Sequence, residues 1–245
     1  MVGTCPVCGD PVLAKCGTMR VHHWAHRGTL ACDAWWEREL QWHRDWKNKF
    51  PITWQESIRL ADDGEKHIAD VRTEAGLVIE FQYSAIDPSE RASRELFYGN
   101  MAWVVCGTRL LRDRTRFVEN ADLLSSMSKD FVYACHAPEK VFPRSWISSS
   151  VPVFFDFGSL EGKLDRLWCL LPYRVDRDAV VVAVSRAAFV KLASENAEIL
   201  EAEKIANLVA DMKRLAAMRQ AQSYRMSAVL DAARYLRQPR FRRRF

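Results

Sequence analysis

Two acids and one amide carry the densest chemical signal in this sequence of 245 residues. Asp70 lies inside His67-Ile68-Ala69-Asp70-Val71, and Glu80 and Gln82 lie inside Leu77-Val78-Ile79-Glu80-Phe81-Gln82-Tyr83. Both runs read as strands, over 67–73 and 77–84, and Glu74-Ala75-Gly76 between them suits a tight hairpin. Side chains alternate along a strand, so Glu80 and Gln82 share one face while Ile79, Phe81 and Tyr83 share the other. Across the hairpin Asp70 can meet Glu80. Two carboxylates buried side by side repel unless a divalent cation lies between them. The pattern points to a metal site of hard oxygen donors.

A softer set of donors lies at the N-terminus. Cys5-x2-Cys8 is followed, fourteen residues later, by His23-x2-His26. Two chelating pairs a short hairpin apart match the needs of a tetrahedral ion, and thiolate with imidazole selects structural Zn²⁺. His22, Cys16 and Cys32 are spare donors, and Cys32 is the strongest rival for the fourth position. A piece of roughly 30 residues needs such a staple to fold.

Residues 34–50 read as one helix, with Asp33 as its cap and Pro51 as its stop. At about 100° per residue, Glu39, His43 and Lys47 fall on the arc shared with Trp35, Trp42 and Trp46. That arc faces the core, where Glu39 and His43 either satisfy each other or serve a pocket, and Lys47 completes the polar row. Glu56 alternates onto the side of Trp54 and Ile58, which points it inward as a further metal or water contact, or into an ion pair with Arg59 or Lys66.

These residues need a frame. The order after residue 33 reads helix, three strands (52–58, 67–73, 77–84), a helix from Asp87-Pro88 to about Met101, and a buried strand over 102–106. That is a mixed α/β core, and the divisions it suggests are 1–32, 33–124 and 125–245. The last region holds a hairpin of 151–157 with 167–171 and a strand over 179–184, then becomes largely helical. There Ile205, Leu208, Val209, Met212 and Leu215, then Met226, Val229, Leu230 and Ala233, recur at helical spacing, as a packing stripe does.

Composition narrows the class. At 49% hydrophobic and 27% charged, the chain resembles a folded globular protein and not a disordered one. The longest apolar run, 179–184, is strand-sized, and Met1 to Pro11 lacks the layout of a signal peptide, so a cytoplasmic protein with no membrane partner is expected. Seven cysteines without an export signal favour metal over disulfides. Of 36 lysines and arginines, six lie in 234–245, and the remaining 30 against 31 acids leave a net of −1. The basicity sits in a tail suited to a polyanion.

The motifs in series, Cys-Pro-x-Cys-Gly, His-His-Trp-Ala-His, Glu39-x3-His43-x3-Lys47, Ala-Asp-Val, Ile-Glu-Phe-Gln and Arg-x2-Arg-x3-Tyr from Arg91, resemble the competence protein CoiA-like family over about residues 5–107. The resemblance implies a zinc ribbon joined to a PD-(D/E)XK nuclease-like core with a restriction-endonuclease-like mixed sheet. It implies Mg²⁺ or Mn²⁺ on Asp70 and Glu80, with Gln82 standing where that family usually has lysine, and Glu39 and His43 as supporting residues. His67 stands where an arginine is expected. The implied substrate is DNA, in uptake, recombination or repair, or defence, gripped through Arg91, Arg94, Lys47 and the tail without reading sequence. Glutamine can position a water but cannot stabilise charge. A catalytically silent DNA-binding accessory protein on the same fold is the alternative, and docking of proteins through the zinc ribbon or the C-terminal helices is a third reading.

Overall fold

The computed structural model describes residues 1–5, 8–17, 22–26, 35, 39–61, 64, 66–127, 131–159, 166–175, 178–197, 199 and 202–236. The expectations placed on Asp33, Cys32 and the arginines after residue 236 lie outside them, as do those on the side chains of His23, Ile205, Leu215, Ala233 and Arg234.

Three short strands, β1 (Val2–Thr4), β2 (Pro11–Lys15) and β3 (His23–His26), form an antiparallel sheet in that order. Helix α1 (Gln41–Lys47) follows, then β4 (Gln55–Leu60), β5 (Lys66–Arg72), β6 (Val78–Gln82), α2 (Pro88–Tyr98) and β7 (Met101–Cys106). The succession of helix, three strands, helix and strand is the one the sequence predicts. Extents differ at three places: Glu39 and Leu40 precede α1, and the expected start near residue 34 is not reached among the described residues; Ile52–Trp54, expected to open the first strand, forms a 3-10 turn; and α2 ends at Tyr98, so that Met101 opens β7.

Local chemistry explains the boundaries. Gly76 takes φ +88 at the β5–β6 turn, a conformation that costs glycine nothing. Asp87 caps α2 by accepting the Ser89 amide at 2.8 Å, and Pro88 fills the first helical position, where no N–H is needed. Strands β6 and β7 pair in parallel and every residue in both is buried, as strands covered on two faces must be.

The chain continues through α3 (Leu111–Glu119), β8 (Leu124–Ser126), β9 (Val132–Cys135), α4 (Pro138–Val141), β10 (Val153–Asp156), β11 (Arg166–Val175), β12 (Asp178–Ser185), α5 (Arg186–Glu195) and α6 (Ala202–Leu236). Strand β10 pairs in parallel with β7, and one mixed sheet of nine strands results, ordered β4-β5-β6-β7-β10-β11-β12-β9-β8. The strands on either side of residue 124 thus share a sheet, and the expectation of a largely helical C-terminal region fits only the chain beyond Ser185. One apolar cluster joins Trp46, Phe50, Ile79, Phe81, Val104 and Phe154 to α5 and α6. A second gathers Val78, Tyr98, Trp103, Phe117, Phe155 and Trp168.

Two contacts mark where this frame is tight or open. A Cβ on Gly107 would stand 2.3 Å from the Phe157 ring, so Gly107→Ala is expected to lower stability by about 1–3 kcal/mol in urea unfolding. In α6, Met212 is buried, whereas Met226, Val229 and Leu230 are 58%, 63% and 55% exposed, so the packing expected of them is not made. The helix holds 35 residues, which is about 50 Å of length, more than the sheet beside it covers.

Candidate active site

Strands β5 and β6 begin as a regular antiparallel pair at Arg72↔Val78 and Val71↔Ile79. At the next step the ladder is replaced by side chains. The Asp70 amide donates to Glu80 Oε1 at 3.2 Å, and the Phe81 amide donates to Asp70 Oδ2 at 2.8 Å. Each carboxylate therefore substitutes for a carbonyl of the opposite strand, which satisfies backbone groups that parting strands would leave unpaired. The two acids meet as the hairpin predicts, but through this exchange and not by facing one another across an unbroken ladder.

Their second oxygens meet cations. Glu80 Oε2 accepts from Arg94 Nη1 at 3.2 Å, and Asp70 Oδ1 lies 4.0 Å from Lys47 Nζ. Burial and the Asp70 charge together push the Glu80 carboxyl up, to about 8, against the pull of Arg94. Burial also pushes Asp70 up, to about 6, despite Lys47 and the Phe81 amide. The side chain of Glu80 is 6% exposed and that of Asp70 is 25% exposed, so water is excluded more fully from Glu80. The pair is short of positive charge, and its donors are hard oxygens, so Mg²⁺ or Mn²⁺ fits it by charge and by donor type.

Lys47 arrives from α1. Its ammonium pairs with Glu39 Oε1 at 2.5 Å and with Glu56. Burial alone would lower its pKa, but the charges of Asp70 and Glu56 and the hydrogen bond of Glu39 outweigh that and raise it. Lys47 is a cation at every working pH. Glu56 has φ +52, a left-handed conformation uncommon for a residue with a side chain, and it sits between Gln55 and Ser57, which pair with Val71 and Ala69 on either side of Asp70. It does not point inward, nor toward Arg59 or Lys66 as expected. Its side chain is 59% exposed and turns to Lys47.

Helix α1 is fixed by a residue that sequence reading gave no reason to select. Asp156, at the end of β10, is buried and accepts from the indole of Trp46 at 3.1 Å and from that of Trp42 at 3.4 Å, while Arg186 pairs with its other oxygen. Trp46 also stacks on Phe81 with ring centroids 5.8 Å apart. His43 is buried and its Nδ1 accepts the Leu40 amide at 3.1 Å, which closes the start of the helix. Glu39 is not on the core arc with His43: it lies before the helix, 40% exposed by side chain, and reaches Lys47.

Gln82 is buried beside Glu80, and its amide donates to the Ser84 carbonyl at 3.3 Å and hydroxyl at 3.2 Å. Arg91 and Arg94, expected to grip the DNA backbone, are 3% and 5% exposed and do not lie open to a phosphate. Arg91 pairs with Glu95 at 2.5 Å, and Glu95 also accepts from Trp103, Ser149 and Ser150. Arg94 serves Glu80, Glu90 and the Trp35 carbonyl. Buried guanidinium groups need such partners, and the acids one turn away supply them.

In the N-terminal sheet, Cys5 Sγ, Cys8 Sγ and a His26 ring nitrogen all lie within 4.8 Å of one another, with Cys8 Sγ 3.2 Å from His26 Nε2. Gly9, at φ +79, closes the turn by donating to the Cys5 carbonyl at 2.9 Å. Two thiols and an imidazole on a knuckle and a strand fit a metal such as Zn²⁺. Cys5 and Val12 pack on Ile68, two residues before Asp70 on the same side of β5. The N-terminal sheet thus rests on the strand that carries the first acid. Among the described residues, no helix is long and apolar enough to cross a membrane.

Comparison with curated proteins and with solved structures finds no match. Residues 4–34 match the family model described as competence protein CoiA, N-terminal domain. The span holds Cys5, Cys8 and His26, so the similarity to that domain covers the candidate metal cluster.

Proposed function

We propose that the chain is a metal-dependent nuclease that hydrolyses phosphodiester bonds of DNA, on a PD-(D/E)XK, restriction-endonuclease-like core preceded by a zinc ribbon. The observation that carries the reading is the acid pair at the parting of β5 and β6, Glu80 buried and Asp70 partly exposed, with a lysine ammonium beside it. Asp70 and Glu80 would hold Mg²⁺ or Mn²⁺, which when bound polarises the scissile phosphate and makes an attacking water acidic. Lys47 brings to the site, from α1, the positive charge that Gln82 on the strand lacks and that could steady developing negative charge. Cys5, Cys8 and His26, with His23 or Cys32 as fourth ligand, would hold Zn²⁺ and keep the ribbon folded against β5. DNA contact would rest on the ribbon and the arginine tail, in uptake, recombination or repair, or defence.

Gln82, turned to Ser84, favours one other reading, a DNA-binding accessory protein that keeps the fold without cutting. Cleavage of circular and linear, single- and double-stranded DNA in Mg²⁺ or Mn²⁺ separates the two. The nuclease reading expects cutting by the parent and a loss of at least about a thousandfold in Asp70→Ala and Glu80→Ala. Absence of cutting on every substrate, with salt-sensitive binding unchanged in both variants, would transfer the proposal to the accessory role.

A further inference from the structure

The ammonium of Lys47 stands among three carboxylates, Glu39 at 2.5 Å, Glu56 in contact and Asp70 Oδ1 at 4.0 Å. No other cation is placed so in relation to Asp70 among the described residues except Arg94, which is tied to Glu80, Glu90 and the Trp35 carbonyl. Lys47 differs in what holds it. Its two close partners are half-open side chains, 40% and 59% exposed, and one of them depends on a left-handed backbone at Glu56. A divalent cation approaching Asp70 meets this ammonium at short range, where like charges repel strongly.

We propose that Lys47 is an internal counter-ion that competes with the divalent cation for Asp70, and that a nucleic-acid phosphate relieves the competition by drawing the ammonium toward itself. Glu39 and Glu56 are positioning residues in this scheme. They hold Lys47 off Asp70 while keeping it within reach of a phosphate at the site. In the free protein the metal binds weakly, and in the presence of a polyanion it binds well, so the metal is loaded with its substrate. No bond is made or broken in the exchange. The inference rests on reading Asp70 and Glu80 as the divalent site.

The test is Mn²⁺ binding, read from the free-ion signal in electron paramagnetic resonance, on the full chain carrying Zn²⁺. Lys47→Gln is expected to bind Mn²⁺ about tenfold tighter than the parent, and Glu56→Gln several-fold more weakly, because Lys47 then leans on Asp70. Opposite signs in two contacting residues are not produced by a general loosening of the fold. A phosphorothioate oligonucleotide, which resists cleavage, is expected to tighten Mn²⁺ binding about tenfold in the parent and much less in Lys47→Gln. Equal or weaker binding in Lys47→Gln overturns the inference. Should that variant not fold, an unchanged affinity in Glu56→Gln, or no gain from the oligonucleotide in the parent, overturns it as well. Asp70→Asn separates the two levels. Parent binding that Asp70→Asn abolishes and Lys47→Gln leaves alone sinks the inference and spares the site, whereas binding that Asp70→Asn does not affect sinks both.

Discussion

Glu80→Gln is expected to make the metal-free protein more stable than the parent at pH 9 and to erase its response to divalent cations. The folded protein holds the Glu80 carboxyl up near 8 and the Asp70 carboxyl near 6, above ordinary values of 4.5 and 3.8. A raised acid binds its proton in the folded state at a pH where the unfolded chain has released it. Stability therefore is highest below about pH 4 for these groups, falls as pH rises through 6 and 8, and is fully reduced above 8. The amide carries no charge, so the variant escapes that loss, and its stability curve is flatter between pH 5 and 9. A bound divalent cation reverses the sign in the parent, because it supplies the missing charge. At a hundred times its dissociation constant it raises the melting temperature by about 5–10 °C, and in Glu80→Gln by almost nothing. Thermal melts across pH, with and without Mg²⁺ or Mn²⁺, give both readings. A parent that melts at the same temperature with and without the ion would remove the acid pair as its site.

The second large effect is expected at Cys8. Its side chain is exposed, so replacing it by serine in a protein without metal would change stability by no more than about 0.5 kcal/mol. With Zn²⁺ on Cys5, Cys8 and His26, the same substitution removes a thiolate ligand from an ion whose binding is worth about 10–16 kcal/mol in small modules. Among the described residues of the module only Cys5 and Val12 are buried apolar side chains, so an ion would supply much of what holds its shape. Limited proteolysis is expected to trim residues 1–26 from Cys8→Ser, or from the parent treated with a zinc chelator, while the nine-stranded sheet resists. Because Cys5 and Val12 lean on Ile68 beside Asp70, cleavage activity is expected to fall with the module. A Cys8→Ser protein as resistant as the parent would show that no ion holds this turn.

How much of this was readable in the sequence depended on range. The β5–β6 hairpin was legible because its alternation and its three-residue turn are local, and with it the proximity of Asp70 and Glu80. The insertion of their carboxylates into the ladder was not, because a pattern of residue types does not say where two strands part. Lys47 was legible as part of a polar row on α1, but its partners come from a loop and an edge strand. Glu56 was misplaced for a definite reason: alternation assumes extended backbone, and φ +52 breaks it. Arg91 and Arg94 were read as a grip on the DNA backbone because basic side chains suit a polyanion; the acids Glu80 and Glu95 and the residue Ser148 draw them inside. Asp156 stands 110 positions from the Trp46 it holds, and nothing local distinguishes it from any acid that ends a strand. The lower half of α6 shows the opposite error, since a helical stripe states that a face is apolar but not that anything covers it.

The most direct test of the central claim is the anomalous signal of a crystal soaked in Mn²⁺ and measured on both sides of the manganese edge. At a Mn²⁺ concentration high enough to outcompete Lys47, the account expects one strong peak between the carboxylates of Asp70 and Glu80, with the Lys47 ammonium farther from Asp70 Oδ1 than its present 4.0 Å. A crystal in which manganese at that concentration decorates other acids and leaves this pair bare would contradict it.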